Sequence, residues 1–286
     1  MSRPRNRRLV SQILAVVFGP GVLWFGGLWV HSLRPLPPMP HSTGRETTWS
    51  SHQGAHLPAA EENCRLANTV WHKEDAAQGL QQEVFVADVN GKRTLGWRWR
   101  APWQMLPANA AYPSLLCGTS PWNQSTAALP GLPFHPGEKR VTVDYAINLK
   151  ASGTYNMAFS LWAVSALPAS PSNVKCEVSI WIANSDQLPY GVRTATVTIQ
   201  GVLYDVYLYR HQHQTSGDHP NEWTYAAFVA RTPVLQGPLD LSAFLDRLQL
   251  MKVLSSNSLV TDVELGNQVA QGTGIAEIQN FALRME

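Results

Sequence analysis

The residues best suited to chemistry lie in one nine-residue run, Val174-Lys175-Cys176-Glu177-Val178-Ser179-Ile180-Trp181-Ile182. Side chains on a strand alternate faces, so Glu177, Ser179 and Trp181 share one face and Cys176, Val178 and Ile180 the other. A carboxylate beside a Trp suits a sugar cleft: the indole stacks on a pyranose and the carboxylate meets the anomeric carbon. An exposed Glu on a half-buried strand would read the same way in isolation, so the rest of the chain must decide.

The 286 residues are 15% charged and 44% hydrophobic with a formal net charge of +2, which fits one globular domain with appendages. No Lys/Arg cluster is interleaved with aromatics, so nucleic acid is not an expected partner. Eleven Trp serve either a bulky core or carbohydrate stacking. Cys64, Cys117 and Cys176 have neither metal-knuckle nor CxxC spacing, and the sequence leaves their pairing open. His211, His213 and His219 lack a third ligand, so neither metal nor cofactor is expected.

Residues 1–8 carry four arginines and form a basic tail. Residues 9–30 then run without a charge, long enough at about 1.5 Å per residue to cross the roughly 30 Å core of a bilayer. No small-x-small cleavage site follows, so an uncleaved transmembrane helix is expected. The arginines put the N-terminus in the cytoplasm. The rest becomes the periplasmic or extracellular part of a single-pass protein of the cell (inner) membrane. Residues 31–62, Pro-rich and then polar, read as a linker, with the folded domain at 63–286.

From residue 63 the dominant period is two. Val141, Val143, Tyr145, Ile147 and Leu149 alternate with polar residues in a half-buried strand. Asn90-Gly91 and Gln200-Gly201 mark hairpin turns. Further strands are expected at 155–163, 222–230, 259–269 and 275–284. The whole implies an all-β, two-sheet antiparallel jelly roll, a concanavalin-like sandwich. Residues 239–254 break the period, with Leu241, Phe244, Leu245, Leu248 and Met251 at helical spacing: one amphipathic helix covering a sheet.

Taken in order, residues 63–286 resemble glycoside hydrolase family 12, the jelly-roll endo-β-1,4-glucanases and xyloglucanases. Asn68-Thr69-Val70-Trp71 is similar to that family's early Asn-x-x-Trp strand, and Tyr112-Pro113-Ser114 to its Tyr-Pro-Ser segment. Gly153-Thr154-Tyr155-Asn156 through Trp162 is similar to its Gly-Thr-Tyr-Asn-x-Ala-x-Asp-x-Trp strand, and Glu177 to Trp181 to its nucleophile strand. The resemblance implies Glu177 as nucleophile, a β-1,4-glucan or related polysaccharide as partner, and Asn68, Trp71, Trp122, Trp162, Trp181 and Glu264 as substrate-binding residues.

Two positions depart from the pattern. Where the family reads Gly-x-Glu-x-Trp around its acid/base, this chain reads Gly266-Asn267-Gln268-Val269-Ala270. An amide accepts and donates hydrogen bonds but gives up no proton. Ser160 stands where the family has an Asp beside the nucleophile; its hydroxyl is able to bond Glu177 but adds no carboxylate. Glu264, the nearest other carboxylate, lies four strand residues from Gln268, roughly 13 Å along the chain, too far to replace it directly. These substitutions imply impaired or lost hydrolysis, with the domain acting as a β-glucan-binding or accessory subunit alongside membrane-complex partners. The alternative is an active retaining β-1,4-glucanase or xyloglucanase that pairs Glu177 with an unconventional acid.

Overall fold

A computed structural model describes residues 37–52, 54–58, 64–70, 79–102, 111–122, 129–213 and 222–286. Among these lie fifteen strands: β1 (Arg45–Ser50), β2 (His56–Pro58), β3 (Cys64–Val70), β4 (Gln81–Val89), β5 (Lys92–Ala101), β6 (Ala111–Gly118), β7 (Val141–Val164) and β8 (Val174–Ser185). The rest are β9 (Val192–Ile199), β10 (Val202–His213), β11 (Glu222–Ala230), β12 (Gln236–Asp240), β13 (Leu259–Val260), β14 (Asp262–Gly266) and β15 (Val269–Met285). The helix α1 (Leu241–Leu250) lies between β12 and β13.

Hydrogen bonds run without a break in the order β1-β4-β5-β15-β6-β14-β7-β8-β11-β10-β9. Continuity comes from β7 and β15. Straight, the 24 residues of β7 would measure about 80 Å, longer than a domain of this size is wide, so the strand must bend. Gly153 faces Gly272 across the β7–β15 ladder, both at φ +99°, which departs from the extended backbone of a straight strand. A Cβ on Gly153 would stand 2.3 Å from the Gln271 carbonyl oxygen, and one on Gly272 1.9 Å from that of Ser152. Only glycine fits both places.

The core is built as the alternation predicts. Val141, Val143 and Tyr145 are buried, and Tyr145 packs edge-on against Phe159 with ring centroids 5.0 Å apart. The expected helix is shorter than 239–254, because residues 236–240 pair with β7 as β12. Its apolar stripe behaves as expected: Phe244 sits edge-on at 5.1 Å from both Tyr204 and Phe228. Both hairpins form, with Asn90, Gly91, Gln200 and Gly201 all at positive φ. The strand expected over 259–269 is interrupted at Thr261 and after Gly266, giving β13, β14 and the start of β15. Cys64 and Cys117 face each other across β3 and β6 and are disulfide-bonded, leaving Cys176 as a buried thiol.

The N-terminal part of the domain corrects the sequence reading. Residues 41–62 were expected as linker, yet β1 lies along β4 and β2 along β3. Charge pairing rather than apolar periodicity holds this edge. Arg98 is clamped between Glu46 of β1 and Glu83 of β4. The buried Glu277 carboxylate accepts from Ser42 Oγ, Thr43 N and Thr43 Oγ1 and from Asn148 Nδ2, at 2.8–3.0 Å. The proposed membrane segment, residues 9–30, and the His219 position lie outside the described residues. Among those described, no helix is long and apolar enough to cross a membrane.

Candidate active site

The site is assembled from four neighbouring strands. In register, Trp162 of β7 is level with Glu177 of β8, and Tyr225 of β11 lies on the far side of Glu177. One pleat along, Glu264 of β14, Ser160 of β7 and Ser179 of β8 form a second row. The strand parity that set Glu177 apart from Cys176 and Val178 therefore gathers two carboxylates and an indole on one face.

Aromatic rings wall Glu177. Trp122, Trp162 and Trp223 form a triplet with centroid separations of 4.3, 5.7 and 6.2 Å. Trp122 is 39% exposed, so its ring is open to a stacking sugar. Trp223 Nε1 donates to Glu177 Oε2 at 3.2 Å. Burial raises the Glu177 carboxyl to about 7; the Trp223 bond pulls it down and the nearby Glu264 charge pushes it up. A carboxylate poised near neutrality beside a stacking ring can attack an anomeric carbon when ionised.

Glu264 is 7% exposed. Burial raises its carboxyl, while hydrogen bonds with Asp262, Ser120 and Trp162, and the Arg65 charge, pull it back. Asp262, fully buried, is pushed well above the usual carboxylate range by burial and then by Glu264. Its Oδ1 accepts the Trp162 backbone N–H at 2.9 Å. The 13 Å separation from Gln268 was the wrong yardstick for Glu264. The relevant neighbour is Glu177, and the register brings Glu264 within one pleat of its level.

Gln268 sits four residues further along, level with Asn156. Its backbone exchanges bonds with Asn156, and its Oε1 accepts from Asn156 Nδ2 at 2.9 Å and Gln187 Nε2 at 3.0 Å. The carboxamide is thus firmly held, and it carries no titratable proton. Ser160, able by its chemistry to bond Glu177, instead accepts at Oγ from Tyr112 Oη at 2.9 Å.

Two of the residues expected at the sugar, Asn68 and Trp181, present almost no open surface. Asn68 shares its parity with Cys64 and Leu66, whereas Arg65 lies in the row with Leu116, Glu264 and Ser160. Asn68 therefore points away from Glu177. Its carboxamide is bonded to Gln82 at 2.8 Å and lines a separate cavity of about 340 Å³ with Met39 and Ser51. Trp181 is 1% exposed and donates to Ser179 Oγ at 2.9 Å, so it is a wall of the site and offers no open platform. Trp71 lies outside the described residues. The sequence reading missed Trp223, whose Trp-x-Tyr alternation with Tyr225 was visible but whose strand was not known to adjoin β8.

Residues 68–286 match the model of Glycosyl hydrolase family 12. Endoglucanase S of Pectobacterium parmentieri is 28% identical over 235 residues, 81% of this chain and 85% of that protein. Among solved structures, the family 12 xyloglucanase of Bacillus licheniformis superposes with a TM-score of 0.73 at 25% identity, covering 84% of this chain and all of that one. A metagenome-derived family 12 endoglucanase gives 0.68 at 23% identity, over 84% and 97% of the two chains, a likeness of fold.

Proposed function

We propose, from the premise that this chain belongs to glycosyl hydrolase family 12, that it is a β-1,4-glucan-directed domain in which binding has outlasted efficient hydrolysis. One observation carries the reading: at the position of the general acid stands the carboxamide of Gln268, its oxygen occupied by Asn156 and Gln187. Glu177 retains what the first half of a retaining reaction requires, a carboxylate near neutrality against an aromatic wall. Departure of a sugar alkoxide requires a proton, and loss of a positioned acid typically lowers the rate by about 10²–10⁴. The names of Endoglucanase S and of the Bacillus licheniformis xyloglucanase support a β-glucan or xyloglucan as the polymer.

The apolar run of residues 9–30 supports a membrane tether that holds this domain outside the cytoplasm, beside partner subunits of a membrane complex. The test combines two measurements on the full chain in detergent. Reducing-end release from xyloglucan, mixed-linkage glucan and carboxymethylcellulose should be weak, while retardation in gels containing the same polymers should be clear. Vigorous release that disappears in Glu177→Gln would instead establish the second reading, an active enzyme with an unconventional acid.

A further inference from the structure

Asp262 and Glu264 form an acidic pair whose hydrogen bonding leaves one thing unaccounted for. Asp262 is wholly buried, and its Oδ2 has no donor among the described residues. A buried carboxylate oxygen without a donor is costly. Glu264 lies two residues along β14 with its side chain on the same face, and Ser120 and Trp162 direct hydrogens at its carboxylate. A proton on Asp262 Oδ2, donated to Glu264, satisfies both groups. One proton between two buried carboxyls leaves a single negative charge; Ser120 and the Trp162 backbone also contact Asp262, but the Trp162 indole and the Arg65 charge act on Glu264 and favour it as the anion.

That charge lies one pleat from the Glu177 level, on a row whose β7 member, Ser160, is neutral. We propose that Glu264, kept ionised by a proton lodged on Asp262, is a positioning residue on strand β14 that adds to burial in biasing Glu177 toward its protonated form. Among the described residues, Lys175 beside it on β8 is exposed to solvent, and the phenols and thiol packed around Glu177 bring no competing charge. Tyr225 on β11 and Tyr112 on β6 are phenols pushed further up by burial, and Cys176, on the opposite face of β8, is a buried thiol raised to about 12. Trp223 and Trp162 contribute only dipoles. Arg65, on β3, lies on the Glu264 side of the row. The pair also fixes the wall of the site, since Asp262 accepts from the Trp162 backbone and Glu264 from its side chain.

The inference rests on Glu177 being the reactive carboxylate but not on turnover, so its test is a titration. Full-length protein carrying ¹³C at the Glu side-chain carboxyls is titrated by NMR, with Glu177→Gln and Glu264→Gln assigning the two resonances. In the unsubstituted protein the Glu177 curve should show an inflection at the Glu264 midpoint. In Glu264→Gln the Glu177 midpoint should fall by roughly half a pH unit or more, because an anion has been removed beside it. Asp262→Asn keeps a donor to Glu264 and should leave the Glu177 midpoint in place. Adding Ser160→Asp to Glu264→Gln returns a carboxylate to the row and should raise the midpoint again. A Glu177 midpoint unmoved in folded Glu264→Gln overturns the proposal. If that variant does not fold, independent single-step curves for the two residues in the unsubstituted protein overturn it equally. Failure of the hydrolase reading would show in reducing-end release and would leave these titrations intact.

Discussion

Trp223 and Glu177 come from the two strands of this sheet that run parallel, β11 and β8, and the indole of one donates to the carboxylate of the other at 3.2 Å. A donor to the ionised form lowers a carboxyl pKa, so this bond opposes the burial and the Glu264 charge that raise Glu177 to about 7. Trp223→Phe keeps most of the ring but loses the donor. Hydrogen bonds to charged groups are worth about 1.5–3 kcal/mol, so the Glu177 midpoint should rise by about one pH unit. Release of dinitrophenolate from 2,4-dinitrophenyl β-cellobioside, whose leaving group requires no acid, should fall up to roughly tenfold at pH 6. It should recover at high pH.

Stability should also depend on the charge of Glu177. Its folded-state pKa, about 7, lies above the ordinary 4.5. Between those values the folded protein binds the extra proton, so stability falls as pH rises through this window. Glu177→Gln abolishes that loss. The variant should match the unsubstituted protein near pH 4 and exceed it by up to about 3 kcal/mol at pH 8. Urea unfolding at both pH values measures the difference. Equal gaps at the two would mean that burial does not penalise the Glu177 charge.

Gln268→Glu tests the acid position. Asn156 and Gln187 already donate to Oε1, so the new carboxylate meets donors without rearrangement. Hydrolysis of mixed-linkage glucan should rise at least about tenfold. The gain should stay below the full 10²–10⁴ because the same donors favour the ionised form. It should be largest at mildly acidic pH. No gain in a folded variant would mean that more than the proton has been lost.

Removal of residues 1–62 should be far more damaging than removal of residues 1–36. The longer deletion strips β1 from β4, takes Glu46 from the largely buried Arg98, and deprives Glu277 of Ser42 and Thr43. Arg98 keeps its pair with Glu83, so the loss of Glu46 costs less than leaving a buried charge unpaired, and the missing β1 ladder and Glu277 donors add to it. The shorter deletion leaves every one of these contacts, and comparison of the two denaturation midpoints checks the difference.

The sequence was legible where one physical rule acted alone. Strict alternation marked β8 and the first half of β7, and Asn90-Gly91 and Gln200-Gly201 marked their turns because both residues adopt positive φ. The β1 strand was missed because Arg45-Glu46-Thr47-Thr48-Trp49-Ser50 has no apolar alternation; an edge strand held by ion pairs needs none. The Asn-x-x-Trp motif carries no information about the parity of Asn68 against Cys64, so it could not show that Asn68 points away from Glu177. Trp223 was out of reach for a topological reason. Strands 46 residues apart become neighbours in parallel, and nothing local announces it. Glu264 was seen, but distance along one strand says little about distance across three.

The three indoles beside Glu177 also have a spectroscopic consequence. Rings 4.3 to 6.2 Å apart exchange excitation far faster than they emit. Light absorbed anywhere in the triplet therefore migrates to its lowest-energy member. The couplet of such coupled transitions in far-ultraviolet circular dichroism should change sign or amplitude when a sugar slides over Trp122. Occupancy of the cleft can thus be followed in the unlabelled protein, whether or not a bond is ever cut.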